Sequence, residues 1–193
     1  MPNWAFTDYA IEGSKETLQK IEQAVLHHDV EENSAEDWEG NVLIALGITW
    51  NRGGPDEGGK YMRGFIRDVP HWCNDNKTLS LFAEEAWGVT DFNEVLEENF
   101  PDIKVYWSTE ESNEGIYATN DKEGKYFPDR FFVDTCINDN YATDYFLTKE
   151  DAYQWLSKLT DGKVKSEEDV DKFNATCSED DFIYIHEFKV ITE

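Results

Sequence analysis

The chain is poor in cysteine, proline and positive charge, and it contains no long apolar run. Cys73, Cys136 and Cys177 are odd in number and without paired spacing, which argues against a disulfide framework and for a reducing cytoplasm. The longest apolar run, Val42 to Ile48, is far too short to cross a bilayer. The opening residues MPNWAFTDYAIEG carry neither a basic segment nor the apolar core of a secretory leader. Lys and Arg number 17 against 42 Asp and Glu, a formal charge of −25 over 193 residues. Such a charge makes nucleic acid and anionic membrane poor direct partners. With only 5 prolines, no flexible linker and no repeat period, the reading is one domain over 1–193.

What the chain has instead is aromatic residues: 7 Trp, 9 Tyr and 12 Phe. These can bury a large apolar area, so the acidity sits on a folded body and not on a disordered tail. Halophilic adaptation does not account for it, because 13 Lys against 4 Arg, with abundant Asn, Tyr and Phe, suggests an AT-rich genome.

Alternation over NWAFTDYAI predicts a strand, and Ser14 caps a helix whose Leu18, Ile21, Val25 and Leu26 share one face. WEGNVLIALG reads as a short helix ending at Gly47, with a buried strand as the alternative. KYMRGFIRDV and KTLSLFAEEAW read as strands joined around His71 to Asn76. Asp91 with Glu94 forms a capping box for DFNEVLEENF. IKVYWSTE, GIYATN and KYFPDRFFVD read as three strands of a meander. Thr148 with Asp151 and Ser166 with Asp169 cap two further helices, and DFIYIHEFKVI closes as a strand. The expected class is therefore α+β: a ferredoxin-like core of antiparallel sheet with helices on one face, over about 1–134. A helix–helix–strand extension follows over about 141–193.

Motifs for chemistry are near misses. Gly54 to Lys60 has phosphate-loop spacing, but Tyr61 stands where Ser or Thr would hold magnesium, and Asp56 and Glu57 repel phosphate. Asp102 with Glu123 and Lys125 resembles a degenerate metal-dependent nuclease signature, with the lysine in a turn instead of a strand. Position 126, where a calcium loop needs Gly, is Tyr. His71 with Cys73, and His27 with His28, have no second ligand pair. The sequence therefore points to no catalytic residue, no metal and no cofactor.

Acidic clusters remain, and they carry the expected partner surface: Asp29, Glu31, Glu32, Glu36, Asp37 and Glu39; Glu94, Glu97 and Glu98; and Glu110, Glu111 and Glu114. One cluster alone reads as a solvated face, but −25 is well beyond the charge of about 2–8 that keeps a small domain soluble. Rows of carboxylates can occupy a groove built to hold phosphates.

The start MPNW, followed by a strand, Gly13 and the helix SKETLQK, resembles the YubB-like, ferredoxin-like domain family. So do AEEAWGVTDFNEVLEENFPDIKVYW and GIYATNDKEGKYFPDRF. The resemblance covers Met1 to about Lys20 and Glu84 to Phe132, and Ala5 stands where family members often carry Cys. It implies a ferredoxin-like fold in a plasmid, phage or other mobile-element setting, and it transfers no catalytic residue. The resulting expectation is a non-enzymatic protein that binds and inhibits a basic nucleic-acid-handling defence protein, such as a restriction or CRISPR effector. The alternatives are an immunity protein against a basic nuclease toxin, a metal-dependent nuclease, and an acidic housekeeping domain.

Overall fold

The computed structural model describes residues 3–27, 38–52, 58–73, 76–178 and 180–192. The chain divides into two compact units, Met1–Asn120 and Asp121–Glu193. The divide falls earlier than the expected core boundary near 134, and Phe131 to Ile137 opens the second unit.

In the first unit the elements run β1 (Trp4–Glu12), α1 (Lys15–His27), α2 (Glu39–Ala45), β2 (Gly64–Ile66), β3 (His71–Cys73), β4 (Thr78–Ala86), α3 (Phe92–Asn99), β5 (Lys104–Glu111) and β6 (Ile116–Thr119). The strand order is β6-β5-β1-β4-β2, antiparallel throughout. β2 and β3 share one edge of β4: β2 pairs with Ala83 to Glu85 and β3 with Thr78 to Ser80. Since β1 and β2 both run against β4, they are parallel to each other with β4 between them. By the same logic β4 and β5 are parallel with β1 between them.

Period-two alternation decides which side is buried. Tyr9 and Ile11 of β1, Leu79 and Leu81 of β4, and Val105 and Trp107 of β5 form one core with Leu18 and Ile21 of α1, Val42 and Leu43 of α2, and Phe92 and Leu96 of α3. VLIA belongs to α2, so the helical reading of that segment holds. Ser14 caps α1 by accepting from the Thr17 N–H at 3.2 Å. The Asp91 capping box does not form; the Asp91 carboxyl instead accepts from the backbone N–H of Tyr61, which ties the start of α3 to the segment before β2.

In the second unit β7 (Phe131–Ile137), β8 (Asn140–Phe146), α4 (Lys149–Leu159), α5 (Glu167–Thr176), β9 (Phe182–Glu187) and β10 (Lys189–Val190) follow in order. The sheet is β8-β7-β9, antiparallel. Val133 and Ile183 pack with Ala152 and Leu156 of α4 and Val170 of α5. Both expected caps form here: Thr148 accepts from Asp151 N–H at 3.1 Å, and Ser166 from Asp169 N–H at 3.3 Å.

The expected meander needs correction. KYFPDRFFVD is a strand only from Phe131, because residues 121–130 wrap around the Asp121 carboxylate, which accepts from Tyr126 N–H at 2.7 Å and Phe127 N–H at 3.0 Å. Arg130 holds the same turn, donating to the carbonyls of Asp121 and Phe127. The meander is therefore a β5–β6 hairpin followed by a strand of a different sheet.

Candidate interaction surfaces

The structure separates the acidic residues by what they do. Asp29, Glu31, Glu32, Glu36 and Asp37 lie outside the described residues. Glu39, the sixth of that cluster, is not on the surface: it is fully buried in the core of the first unit. Glu111 is buried as well, with its carboxylate turned into the β5–β6 turn to accept from the N–H groups of Asn113 and Glu114. Burial removes these two from any partner surface. Glu97 accepts from Val105 N–H at 2.6 Å. Glu94 and Glu98 both hold Lys60, so the lysine of the phosphate-loop spacing is already neutralised. Glu114 is exposed and accepts from Asn3 Nδ2 at 2.8 Å. Glu110 is half-buried on β5. Among the described residues no group of three or more His, Cys, Asp or Glu side chains is placed to hold a metal, and no helix is long and apolar enough to cross a membrane.

Glu39 meets Glu85 of β4, also fully buried. Tyr9 donates to Glu85 Oε1 at 2.6 Å; Thr90 donates its backbone N–H to the same atom at 3.0 Å, and its hydroxyl faces Glu39 Oε2 at 2.8 Å. Among the described residues Glu39 Oε1 and Glu85 Oε2 are buried without a hydrogen-bond partner, a lack that one proton shared by the two carboxyls would satisfy. Burial first, and the Glu85 charge second, hold the Glu39 carboxyl well above the usual carboxylate range. With no solvent access, this pair serves the core and not a substrate. The sequence offered no signal for it, since Glu39 sits beside a run of surface-type acids.

The face of the first sheet turned away from the helices is aromatic and acidic. Cross-strand register sets Phe65, Glu84, Phe6 and Glu110 in one row across β2, β4, β1 and β5, and Phe82 with Asp8 in the next. Phe6 is 51% exposed and stacks on Phe82 with ring centroids 6.1 Å apart. Partial desolvation, then the charge of Asp68, raise the Asp8 carboxyl above its ordinary value. Arg67 lies on this face with Cζ 5.0 Å from the Phe65 ring centre and its guanidinium 2.7 Å from Glu84.

The second sheet repeats the design. Away from α4 and α5, the face carries Phe132, Asp134 and Cys136 on β7, Tyr145, Thr143 and Tyr141 on β8, and His186, Tyr184 and Phe182 on β9. Its rings form an unbroken chain, Tyr145–Phe132–His186–Tyr184–Phe182–Tyr141, with centroid spacings of 4.9, 6.0, 6.2, 5.1 and 6.3 Å. That chain bends around Asp134 on three sides, and Thr143 faces it on the fourth. Burial lowers the His186 pKa from its ordinary value, against the opposing pull of Asp134. Individual residues here were visible in the sequence, but their convergence needed the register of β8, a strand the sequence reading omitted.

Comparison with protein families, curated proteins and solved structures finds no match to this chain.

Proposed function

We propose that the chain is a non-enzymatic interaction protein that docks a basic partner through carboxylates set among aromatic rings. The supporting observation is the open face of the first sheet, where Asp8, Glu84 and Glu110 share rows with Phe6, Phe65 and Phe82. Arg67 shows the chemistry within the chain: one guanidinium stacks on a ring and pairs with a carboxylate at once. Around this local site the −25 charge steers cations in from a distance. A protein that grips nucleic-acid phosphates presents the complementary surface, so the proposed partner is a basic nucleic-acid-handling defence enzyme, inhibited by occupation of its phosphate groove. The two split β-α-β units of the first sheet support a ferredoxin-like core. That reading agrees with the YubB-like resemblance and the mobile-element setting it implies. Three free thiols fit a reducing cytoplasm.

The test begins with capture of partners on the immobilised chain and elution along a salt gradient. Reconstitution with the purified partner follows, with DNA or RNA as competitor. Asp8→Asn combined with Glu110→Gln is expected to slow association severalfold and flatten the salt dependence. Unchanged association at low salt, or a complex indifferent to competing nucleic acid, would count against the reading.

A further inference from the structure

We infer that the open face of the second sheet is a separate recognition site for arginine side chains, with Asp134 as the anchoring carboxylate and the surrounding rings as the stacking surface. The inference rests on the reading of the chain as a binder of basic proteins, and it names the group read by this unit.

Six rings in continuous contact on one sheet face exceed what a solvated surface requires, and Tyr141, Tyr184 and Tyr145 are 76%, 53% and 43% exposed. Exposed contiguous aromatic surface of this kind marks an interaction site. Asp134 is half-buried among rings, and among the described residues it forms no ion pair. A carboxylate flanked by π faces attracts a cation by charge and by quadrupole together.

Charge then selects among occupants. A second copy would bring another −25 onto this one, and single-stranded nucleic acid, the usual guest of stacking platforms, would bring phosphates. Both are repelled, whereas a basic segment is drawn in. Shape selects among cations. The platform is a sheet face, flat instead of an enclosing cage, and a planar guanidinium covers a ring while its edge donates two hydrogen bonds to a carboxylate. Lysine ammonium is compact and strongly hydrated, and it gains less from such a surface. Arg67, stacked on Phe65 and bound to Glu84, is the chain's own instance of this pairing.

The probe is a peptide with arginines spaced by glycine, titrated against the full chain at low salt by calorimetry and by two-dimensional NMR. Matched peptides carry lysine or citrulline, and an oligothymidylate serves as the anionic control. The expected result is saturable binding of the arginine peptide, with shifts centred on Asp134, Phe132 and Tyr184. Lysine should bind several-fold more weakly, and citrulline and oligothymidylate should not bind measurably. Asp134→Asn and Tyr184→Ala should each weaken binding about tenfold, while Asp8→Asn in the first unit leaves this site unchanged. Tyr184→Phe, which keeps the ring, should restore most of the affinity and guards against a folding artefact. Equal binding of lysine and arginine peptides, shifts spread over the whole acidic surface, or binding indifferent to Asp134→Asn would overturn the inference. So would tighter binding of oligothymidylate. If the peptide is lost only on Asp8→Asn, the platform is refuted while the proposed function stands. If a whole basic partner also fails to bind, both fall.

Discussion

At the scale of single residues, the Glu39–Glu85 pair is closed off from solvent altogether. Two carboxyls removed from water cannot both ionise at moderate cost, and burial with the Glu85 charge favours the protonated form of Glu39. Its folded pKa lies above the unfolded value near 4.5. The folded state therefore binds more protons than the unfolded chain once pH exceeds that value. The contribution is fully present below the unfolded pKa and is lost as pH rises toward the folded one. This contribution should decline as pH rises above the unfolded value near 4.5 toward the raised folded one. Glu39→Gln replaces the shared proton with a permanent amide donor. It should flatten that decline and raise the melting temperature at pH 8, at about 1.4 kcal/mol for each tenfold of proton affinity no longer required. Thermal melts of both proteins from pH 5 to 9 check this; parallel curves would refute the shared proton. Gly64 supplies a second test, because a Cβ there would collide with the Glu39 carboxyl. Gly64→Ala should destabilise by about 1–3 kcal/mol in chemical denaturation, and pairing it with Glu39→Ala should recover part of the loss.

At the scale of elements, the sheet faces follow from which turns the chain makes, and one turn explains what the sequence did and did not disclose. Asn138 and Asp139 have φ of 52° and 61°, left-handed at both central positions, which is what a two-residue hairpin needs to match strand twist. Asn-Asp was the available signal. It was hidden because NYATDYF is mostly exposed and lacks the apolar alternation that identified β1, β4 and β5. Asp139→Gly removes the Cβ penalty at that position and should stabilise the second unit by roughly 0.5–1 kcal/mol, net of the extra freedom glycine gains in the unfolded chain. Hydrogen exchange across Thr135 and Ala142 would report it. The reverse holds for 121–130, where aromatic content suggested strand. Burial opposes ionisation of Asp121, but the N–H groups of Phe127, Tyr126 and Lys125 prevail and hold its carboxyl below the ordinary value. Side-chain-to-backbone bonds of this kind compete with a sheet ladder, and composition does not reveal which will win. Core positions such as Leu18, Ile21, Leu79 and Val105 were legible from period alone. The surfaces were less so, since Asp134, Tyr184 and Tyr145 meet only through pairing between strands distant in sequence.

At the scale of the whole molecule, the excess of carboxylates sets the sign of the response to salt. Two effects oppose each other. Exposed pairs such as Lys20–Glu16 and Lys172–Glu168 lose attraction as ions screen them, but pairs of this type contribute little, about 0–1 kcal/mol each. Self-repulsion among 42 acidic groups with 17 basic ones to offset them is a collective term, and screening relieves it. The Debye length contracts from about 30 Å at 0.01 M to about 8 Å at 0.15 M, so repulsion across the protein is weakened much more than contacts at 3 Å. The collective term therefore wins. Raising NaCl from 0.01 to 0.3 M should increase stability by about 1–2 kcal/mol, a rise of roughly 2–8 °C in melting temperature. Binding to a basic partner should weaken over the same range, because the salt that stabilises the fold removes its attraction for cations. Differential scanning calorimetry and binding measured in the same buffers would test the two together. A melting temperature that stays level while binding falls would place the repulsion in the unfolded chain as much as in the fold. A melting temperature that falls would mean local ion pairs dominate, and the −25 charge could then no longer be treated as a field acting over the whole protein.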